Sequence, residues 1–193
     1  MENKFDNLKC NYFFDRILDI LKGKFLSIIK YNKKMQKRAN ISSQDYDEYC
    51  RIKIEIIPEP YKFGTFINIS SGESIYYHIY FNNNFSEEIK RNRILSEEKV
   101  DKINIIIDSG AKKFKGLFKC CECIESISFK QFYRNDIFDM EDMFYECSSL
   151  KKIDFTVFKT DYVSNMKNMF YNCKNLKELD ISIFLFEIMK KLI

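Results

Sequence analysis

MEDMFYECSSLKKIDFTVF, at residues 140–158, recurs as MKNMFYNCKNLKELDISIF at residues 166–184. The offset is 26 residues, and the cysteines Cys121, Cys147 and Cys173 keep it through three successive units. Phenylalanines and aliphatic residues recur in the same register beside them. A fixed period of about 20–29 residues is typical of leucine-rich repeats, which more often form a recognition surface than an active site. The stretch therefore predicts a binding function without naming the ligand.

Each unit combines two spacing patterns. Met140, Met143 and Phe144 lie at i, i+3 and i+4, which predicts one face of a short helix or turn. Further along the unit, Ile153 and Phe155 lie two residues apart and would share one face of a strand. A single unit cannot bury its own apolar face. We therefore expect the strands of successive units to stack about 4.8 Å apart in a parallel sheet.

Composition and periodicity divide the chain into three regions. Residues 1–50 are predicted to be helical, residues 51–110 to form a β-rich capping region, and residues 111–193 to hold two complete repeats and one partial repeat. The predicted fold class is α+β, with a short leucine-rich-repeat solenoid capped by the N-terminal helical and β region. The third unit runs into LFEIMKKLI, which predicts either a capping helix or a truncated chain.

Four strand signals precede the repeats. RIKIEII alternates apolar and polar residues and ends at Pro58. FGTFINI and SIYYHIYF flank Ser70-Ser71-Gly72, which predicts a hairpin. KINIIID predicts a further strand. In residues 1–50, apolar residues recur at helical spacing, and Ser43 is expected to cap a short helix over Asp45–Tyr49.

The composition excludes several classes of protein. The 193 residues are 46% hydrophobic with only five glycines and two prolines, which argues against a disordered chain. A net charge of +4 does not predict nucleic-acid binding. No apolar stretch approaches the roughly 20 residues of a membrane span. Seven cysteines and the lack of a signal peptide favour a reducing, cytoplasmic location.

The repeat motif, M-x-x-M-F-x-x-C-x-x-L-x-x-[IL]-x-[FI]-x-x-F, resembles that of the BspA-like leucine-rich repeat family, also known from Mycoplasma surface-repeat proteins. The resemblance covers about residues 117–184. The region before it resembles the N-terminal part of repeat proteins from protists or large viruses. The resemblance implies a right-handed solenoid without catalytic residues. Many relatives are secreted surface proteins, so a surface or adhesion protein displayed by a non-standard route remains an alternative.

Other candidate sites are weighed against ordinary packing. The cysteine column could be a metal or redox site, but a parallel ladder does not converge its thiols as zinc requires, and buried cysteine is a common packing residue. His78 is the only histidine and is expected on a strand face, not as a catalytic base. The basic stretch from Lys30 to Arg38 could touch nucleic acid or anionic lipid, but a solvated helix end is favoured. We expect no catalytic residues, no metal and no cofactor.

Polar residues that alternate with the apolar strand positions are the candidate binding residues. They point away from the core and would form columns on one sheet face. The leading hypothesis is a non-enzymatic protein–protein interaction module with a protein partner of unknown identity and without nucleic acid. One alternative is an F-box-like adaptor that presents a substrate to a ubiquitin ligase; another is a cysteine-dependent enzyme. The candidate residues are Ser126, Ser128, Lys130, Lys152, Asp154, Thr156, Glu178, Asp180 and Ser182.

Overall fold

The computed structural model describes residues 33–38, 42–134, 136–157 and 163–179. The chain divides into two compact units, Met1–Cys50 and Arg51–Ile193. Residues 1–32 and 39–41 of the region predicted to be helical, and the C-terminal LFEIMKKLI, lie outside the described residues.

The first unit contains two short helices, α1 (Lys33–Arg38) and α2 (Ser43–Cys50). Ser42 caps α2. Its Oγ accepts the N–H of Asp45 at 3.3 Å, while the Asp45 carboxylate accepts the N–H of Ser42 at 2.6 Å. This reciprocal pair satisfies two backbone donors that have no partner within the helix. The cap is therefore one residue earlier than the sequence predicted.

The second unit is built on one mixed sheet of six strands in the order β3-β5-β1-β6-β7-β8, with a two-stranded sheet of β2 and β4 beside it. A single 3-10 turn, Ser74–Tyr76, precedes β3. The strands are β1 (Ile52–Pro58), β2 (Gly64–Thr65), β3 (Tyr77–Phe81), β4 (Arg93–Ile94), β5 (Ile103–Ile107), β6 (Ile124–Gln131), β7 (Lys152–Asp154) and β8 (Glu178–Leu179).

Alternation of isoleucine with polar residues explains the centre of the sheet. Ile52, Ile54 and Ile56 of β1 are at most 2% exposed, while the residues between them are half-buried. β1 pairs antiparallel with β5 on one side and with β6 on the other. Ile54 and Ile56 each align with apolar residues on both flanking strands, and Ile52 aligns with Ile107 of β5. Such cross-strand contacts stabilise a sheet.

The predicted fold class is wrong. Within the described residues the chain is mostly sheet, and the repeat strands continue the sheet of the preceding region in place of a separately capped solenoid. The physical reason is β1, whose antiparallel hydrogen bonds to β6 join residues 51–110 to the repeats. The predicted hairpin is also wrong, because β2 pairs with β4 and β3 pairs with β5.

The repeat strands do pair in parallel at the 26-residue offset. Ser126 aligns with Lys152, and Lys152 aligns with Glu178. The segments before these strands, where the spacing predicted a short helix or turn, are turns. Two positions of each turn have a left-handed backbone: Gly116, Asp142 and Asn168 (φ 64°, 56° and 54°), and Cys120, Glu146 and Asn172 (φ 56°, 57° and 59°). A left-handed residue does not continue a right-handed helix, and glycine, asparagine and aspartate adopt it most readily.

The turns are stacked by hydrogen bonds between units. The N–H groups of Phe118 and Cys120 each donate at 2.8 Å to carbonyls of the second unit, and the second unit donates to the third in the same way. No repeat unit precedes the first turn, and its carbonyls accept hydrogen bonds from Asn68. The backbone N–H of Asn68 donates to Leu117 O and its side-chain Nδ2 donates to Lys119 O, both at 2.7 Å.

A phenylalanine column fills the space between turns and strands. The rings of Phe118, Phe144 and Phe170 stack nearly parallel, with centroids 5.4 and 5.7 Å apart. Phe129 and Phe155 form a second stacked pair at 5.7 Å. Because the register repeats, equivalent side chains of neighbouring repeat units contact each other. The hydrophobic core is continuous from the isoleucines of β1 into the repeats.

Candidate interaction surface

The sheet has a second face, opposite the isoleucine core, on which polar side chains project. Ser126 and Ser128 of β6 are half-buried there and Lys130 is exposed. Lys152 of β7 is exposed and Asp154 is half-buried. We call this surface the polar face. It carries the sequence-predicted residues of the first two repeat strands, as the alternation of side chains along a strand requires.

One row of the polar face crosses five strands. The strand register places Tyr80 beside Asn104, Asn104 beside Glu55, Glu55 beside Ser128, and Ser128 beside Asp154. Ser128 Oγ donates to Asp154 Oδ2 at 3.0 Å, which joins the first two repeat strands by their side chains. The predicted residues of β6 and β7 are therefore part of a longer polar row that begins in β3.

Glu55 is the electrostatic centre of this row. Lys102 Nζ lies 2.9 Å from one of its carboxylate oxygens, and Lys130 Nζ lies 3.4 Å from the other. Burial alone would raise the pKa of Glu55, but the two lysines outweigh it and hold that pKa below its ordinary value. Glu55 is thus ionised at neutral pH, and it orients two ammonium groups on the surface.

Asp154 is held in a comparable way at the other end of the row. The hydroxyl and the backbone N–H of Thr156 donate to its Oδ1 at 2.5 and 2.9 Å. These hydrogen bonds, together with that from Ser128, lower the pKa of Asp154. Its carboxylate is therefore a fixed acceptor at neutral pH, with Thr156 exposed beside it.

A second row contains Ser126, Lys152 and the backbone of Glu178, aligned across β6, β7 and β8. Ile57 of β1 begins this row. Asp180 and Ser182 lie outside the described residues. The structure therefore places five of the nine candidate residues on one face, and Thr156 follows shortly after the end of β7. The partner-binding role of all nine stays a prediction.

The sequence reasoning missed the contribution of the strands before the repeats. Tyr80, Asn104 and Glu55 belong to β3, β5 and β1. The signal was present in RIKIEII and KINIIID, whose alternation predicts a polar face as well as a core. Alternation within a strand does not predict the pairing of β1 with β6, and this pairing places the polar residues of β1 beside those of the repeats.

Cys121 and Cys147 of the cysteine column are buried in the core, and Cys173 is half-buried against it. Cys147 Sγ donates to Phe118 O at 2.9 Å, and Cys173 Sγ donates to Phe144 O at 3.0 Å. Burial raises the pKa of Cys121 and of Cys147 far above the ordinary value, and raises that of Cys123 to about 11. These thiols are protonated at neutral pH, whereas nucleophilic attack and metal binding require the thiolate.

In the described part of the chain, no group of three or more His, Cys, Asp or Glu side chains could hold a metal ion. None of the described helices is long and apolar enough to cross a membrane.

His78 lies in β3 with both ring nitrogens against carboxylates. Nδ1 is 3.1 Å from Glu88 Oε1, and Nε2 is 3.1 Å from Asp108 Oδ2. Asp108 also accepts Arg51 Nε at 2.8 Å. Burial raises the pKa of Asp108, but the hydrogen bonds from His78 and Arg51 outweigh it and lower that pKa. The imidazole therefore ties β3 to the residue after β5 through a hydrogen-bond network.

The comparisons with known proteins concern the repeats. No curated protein and no solved structure matches the chain. Residues 112–191 match the family described as "Mycoplasma protein of unknown function, DUF285". This match confirms the resemblance to a Mycoplasma family over the repeat units.

Proposed function

We propose that this chain is a non-enzymatic protein–protein interaction module and that its partner binds the polar face. The single observation that carries the proposal is the row from Tyr80 to Asp154, which crosses five hydrogen-bonded strands. A sheet holds such groups rigidly, so little side-chain and backbone freedom is lost on binding. Oriented charges of both signs favour a partner with complementary charges.

The chemistry of the other candidate groups supports a binding role over catalysis. The repeated thiols are protonated and donate to backbone carbonyls. The histidine is engaged at both nitrogens by carboxylates. The lowered pKa values of Glu55 and Asp154 suit hydrogen-bond acceptors, whereas a general acid at neutral pH needs a raised one.

We also propose, from the repeat motif and the match over residues 112–191, that the repeats are related to those of the BspA-like proteins. The relationship concerns the 26-residue motif and its turn and strand. A cytoplasmic location follows only from the sequence argument on cysteine usage and remains part of this proposal.

The experiment is affinity purification from the native cells with mass spectrometry, comparing two charge-swapped chains. The test variant combines Lys130→Glu with Asp154→Lys on the polar face. The matched control combines Lys113→Glu with Glu122→Lys, which are exposed residues outside the strands. Both variants keep the net charge.

We expect the control to recover the same partner as the wild-type chain and the test variant to lose it. Circular dichroism and thermal melting establish that both variants are folded. Recovery of the same partner at the same yield by the folded test variant would contradict the proposal.

A further inference from the structure

A groove of about 510 Å³ runs between the loop after β1 and the segment that follows β4. Its size is in the range of about 300–1,000 Å³ that is usual for binding clefts. Large apolar side chains stand at its rim. Tyr61 is 102% exposed, Phe63 is 62% exposed and Leu95 is 40% exposed. The fold leaves these apolar surfaces in water, and adjacent exposed aromatic residues mark interaction sites.

The loop that carries the aromatic residues is anchored. The N–H of Glu59 donates to Cys123 O at 2.8 Å, and the N–H of Lys62 donates back to Glu59 O at 3.1 Å. Lys62 Nζ donates to Ser149 Oγ at 2.6 Å, which ties the loop to the second repeat unit. Tyr61 lies between these anchors with a left-handed backbone, φ 64°. For a bulky residue this conformation is uncommon and strained, and such strain is concentrated at functional sites.

The groove is acidic although the chain is basic. Five carboxylates and two lysines line it, in a chain of net charge +4. Lys151 pairs with Glu59 and Glu125, at 3.0 and 3.1 Å. Glu97 and Asp101 are exposed, and within the described part of the chain neither forms an ion pair. Two exposed carboxylates without an ion pair among the described residues therefore line the same groove as two exposed aromatic residues.

We propose that this groove is a docking site for a basic, extended segment of a partner protein. Lysine or arginine side chains of the segment would stack on Tyr61 and Phe63 and pair with Glu97 and Asp101. Guanidinium and ammonium groups are attracted to aromatic faces, and arginine stacks on them especially well. Apolar residues of the segment would cover Leu95. The same carboxylates repel phosphate, so nucleic acid is the wrong partner for this surface.

The groove is a different surface from the polar face, although the two are continuous at Ile57, which begins the second polar row and lines the groove. The proposed groove is therefore a second binding site, and its partner segment is basic. It does not depend on the polar face, and the variants separate the two.

The test uses the full chain and two fluorescein-labelled peptides, RLPRLPR and ELPELPE, in fluorescence-anisotropy titrations. The peptides share their leucine and proline positions and carry side-chain charges of opposite sign. We expect RLPRLPR to bind and ELPELPE not to bind. Binding should weaken at least tenfold between about 0.05 M and about 0.5 M NaCl, because exposed charges are screened. Equal affinity for the two peptides, or no binding of RLPRLPR, would overturn the proposal.

Matched variants locate the site. Tyr61→Ala should weaken binding about fivefold to tenfold, in the range of cation–π contacts, while Phe85→Ala, at a residue 58% exposed elsewhere, should leave it unchanged. Glu97→Gln with Asp101→Asn should weaken binding and reduce its salt dependence, while Glu87→Gln should do neither. The polar-face variant Lys130→Glu with Asp154→Lys should bind RLPRLPR like the wild-type chain. If Tyr61→Ala binds as tightly as wild type, the groove is not the site.

Discussion

Arg134 is a buried cation that joins the repeats to the strands before them, and it should depend on Asp136. Its side chain is 2% exposed, and Nε and Nη2 donate to the two carboxylate oxygens of Asp136 at 2.8 and 3.0 Å. Nη2 also donates to Ala111 O at 2.7 Å, and Nη1 donates to Asp108 O at 3.3 Å. The guanidinium thus connects the loop after β6 to the chain after β5.

Asp136→Asn removes the compensating charge and leaves the guanidinium buried. Breaking a buried ion pair from one side costs about 3–5 kcal/mol. The Asp136 carboxylate is 39% exposed, so water screens part of this charge. We therefore expect a loss of about 2 kcal/mol in the free energy of unfolding at pH 7. Arg134→Met added to Asp136→Asn should restore part of it, because the unpaired cation is then gone.

The same pair predicts an acid-sensitive component of stability. Burial would raise the pKa of Asp136, but hydrogen bonds from Arg134 and Lys112 outweigh it and lower the pKa from 3.8 to about 2. A carboxyl whose pKa is lowered by folding stabilises the protein above pH 4 and loses that effect as pH falls from about 4 to about 2. The shift corresponds to at most about 2.4 kcal/mol, which screening at this partly exposed group reduces to about 1 kcal/mol.

The assay is urea unfolding followed by circular dichroism at several pH values between 7 and 2. Asp101→Asn, at an exposed carboxylate, is the control and should change stability by less than about 0.5 kcal/mol. The reasoning is refuted if Asp136→Asn costs less than about 0.5 kcal/mol at pH 7. It is also refuted if the variant loses stability below pH 4 as steeply as the wild-type chain.

Two further predictions concern the repeat core. Phe144→Ala should cost about 3–5 kcal/mol in urea unfolding, because the ring is fully buried and stacks on both neighbours. Phe85→Ala should cost about 1 kcal/mol, because that ring is 58% exposed and pairs with the ring of Tyr80. Similar costs for both would place Phe144 outside the core. At pH 7 a maleimide should label the exposed Cys120 and spare Cys147 until urea unfolds the chain, as mass spectrometry of the digested protein reports. Labelling of native Cys147 at the rate of Cys120 would show that its thiol is not buried.

Local patterns predicted most of the strands, with β4 (Arg93–Ile94) as an exception, but they did not predict how the strands pair. The alternation in RIKIEII correctly predicts β1 and its buried isoleucines, and the repeat period correctly predicts the parallel register of Ser126 with Lys152. The antiparallel pairing of β1 with β6 is a tertiary contact between distant segments, and no local pattern encodes it. This one pairing overturns the capped solenoid and adds Glu55 to the candidate surface.

The turns show a different limit of the sequence reasoning. The spacing of Met140, Met143 and Phe144 fits a helical turn, because side-chain spacing does not reveal the sign of φ. A signal was nevertheless available at one repeat position, where glycine, aspartate and asparagine recur as Gly116, Asp142 and Asn168. These are the residue types that most readily adopt the left-handed conformation.

Site-specific photo-crosslinking in the native cells tests whether a partner protein binds the polar face. A photo-reactive amino acid replaces Thr156, which is exposed beside Asp154, or Ile75, which is 71% exposed in the 3-10 turn before β3. We expect a specific protein adduct at position 156 and none at position 75. The absence of an adduct at position 156, or the same adduct at both positions, would contradict the proposal.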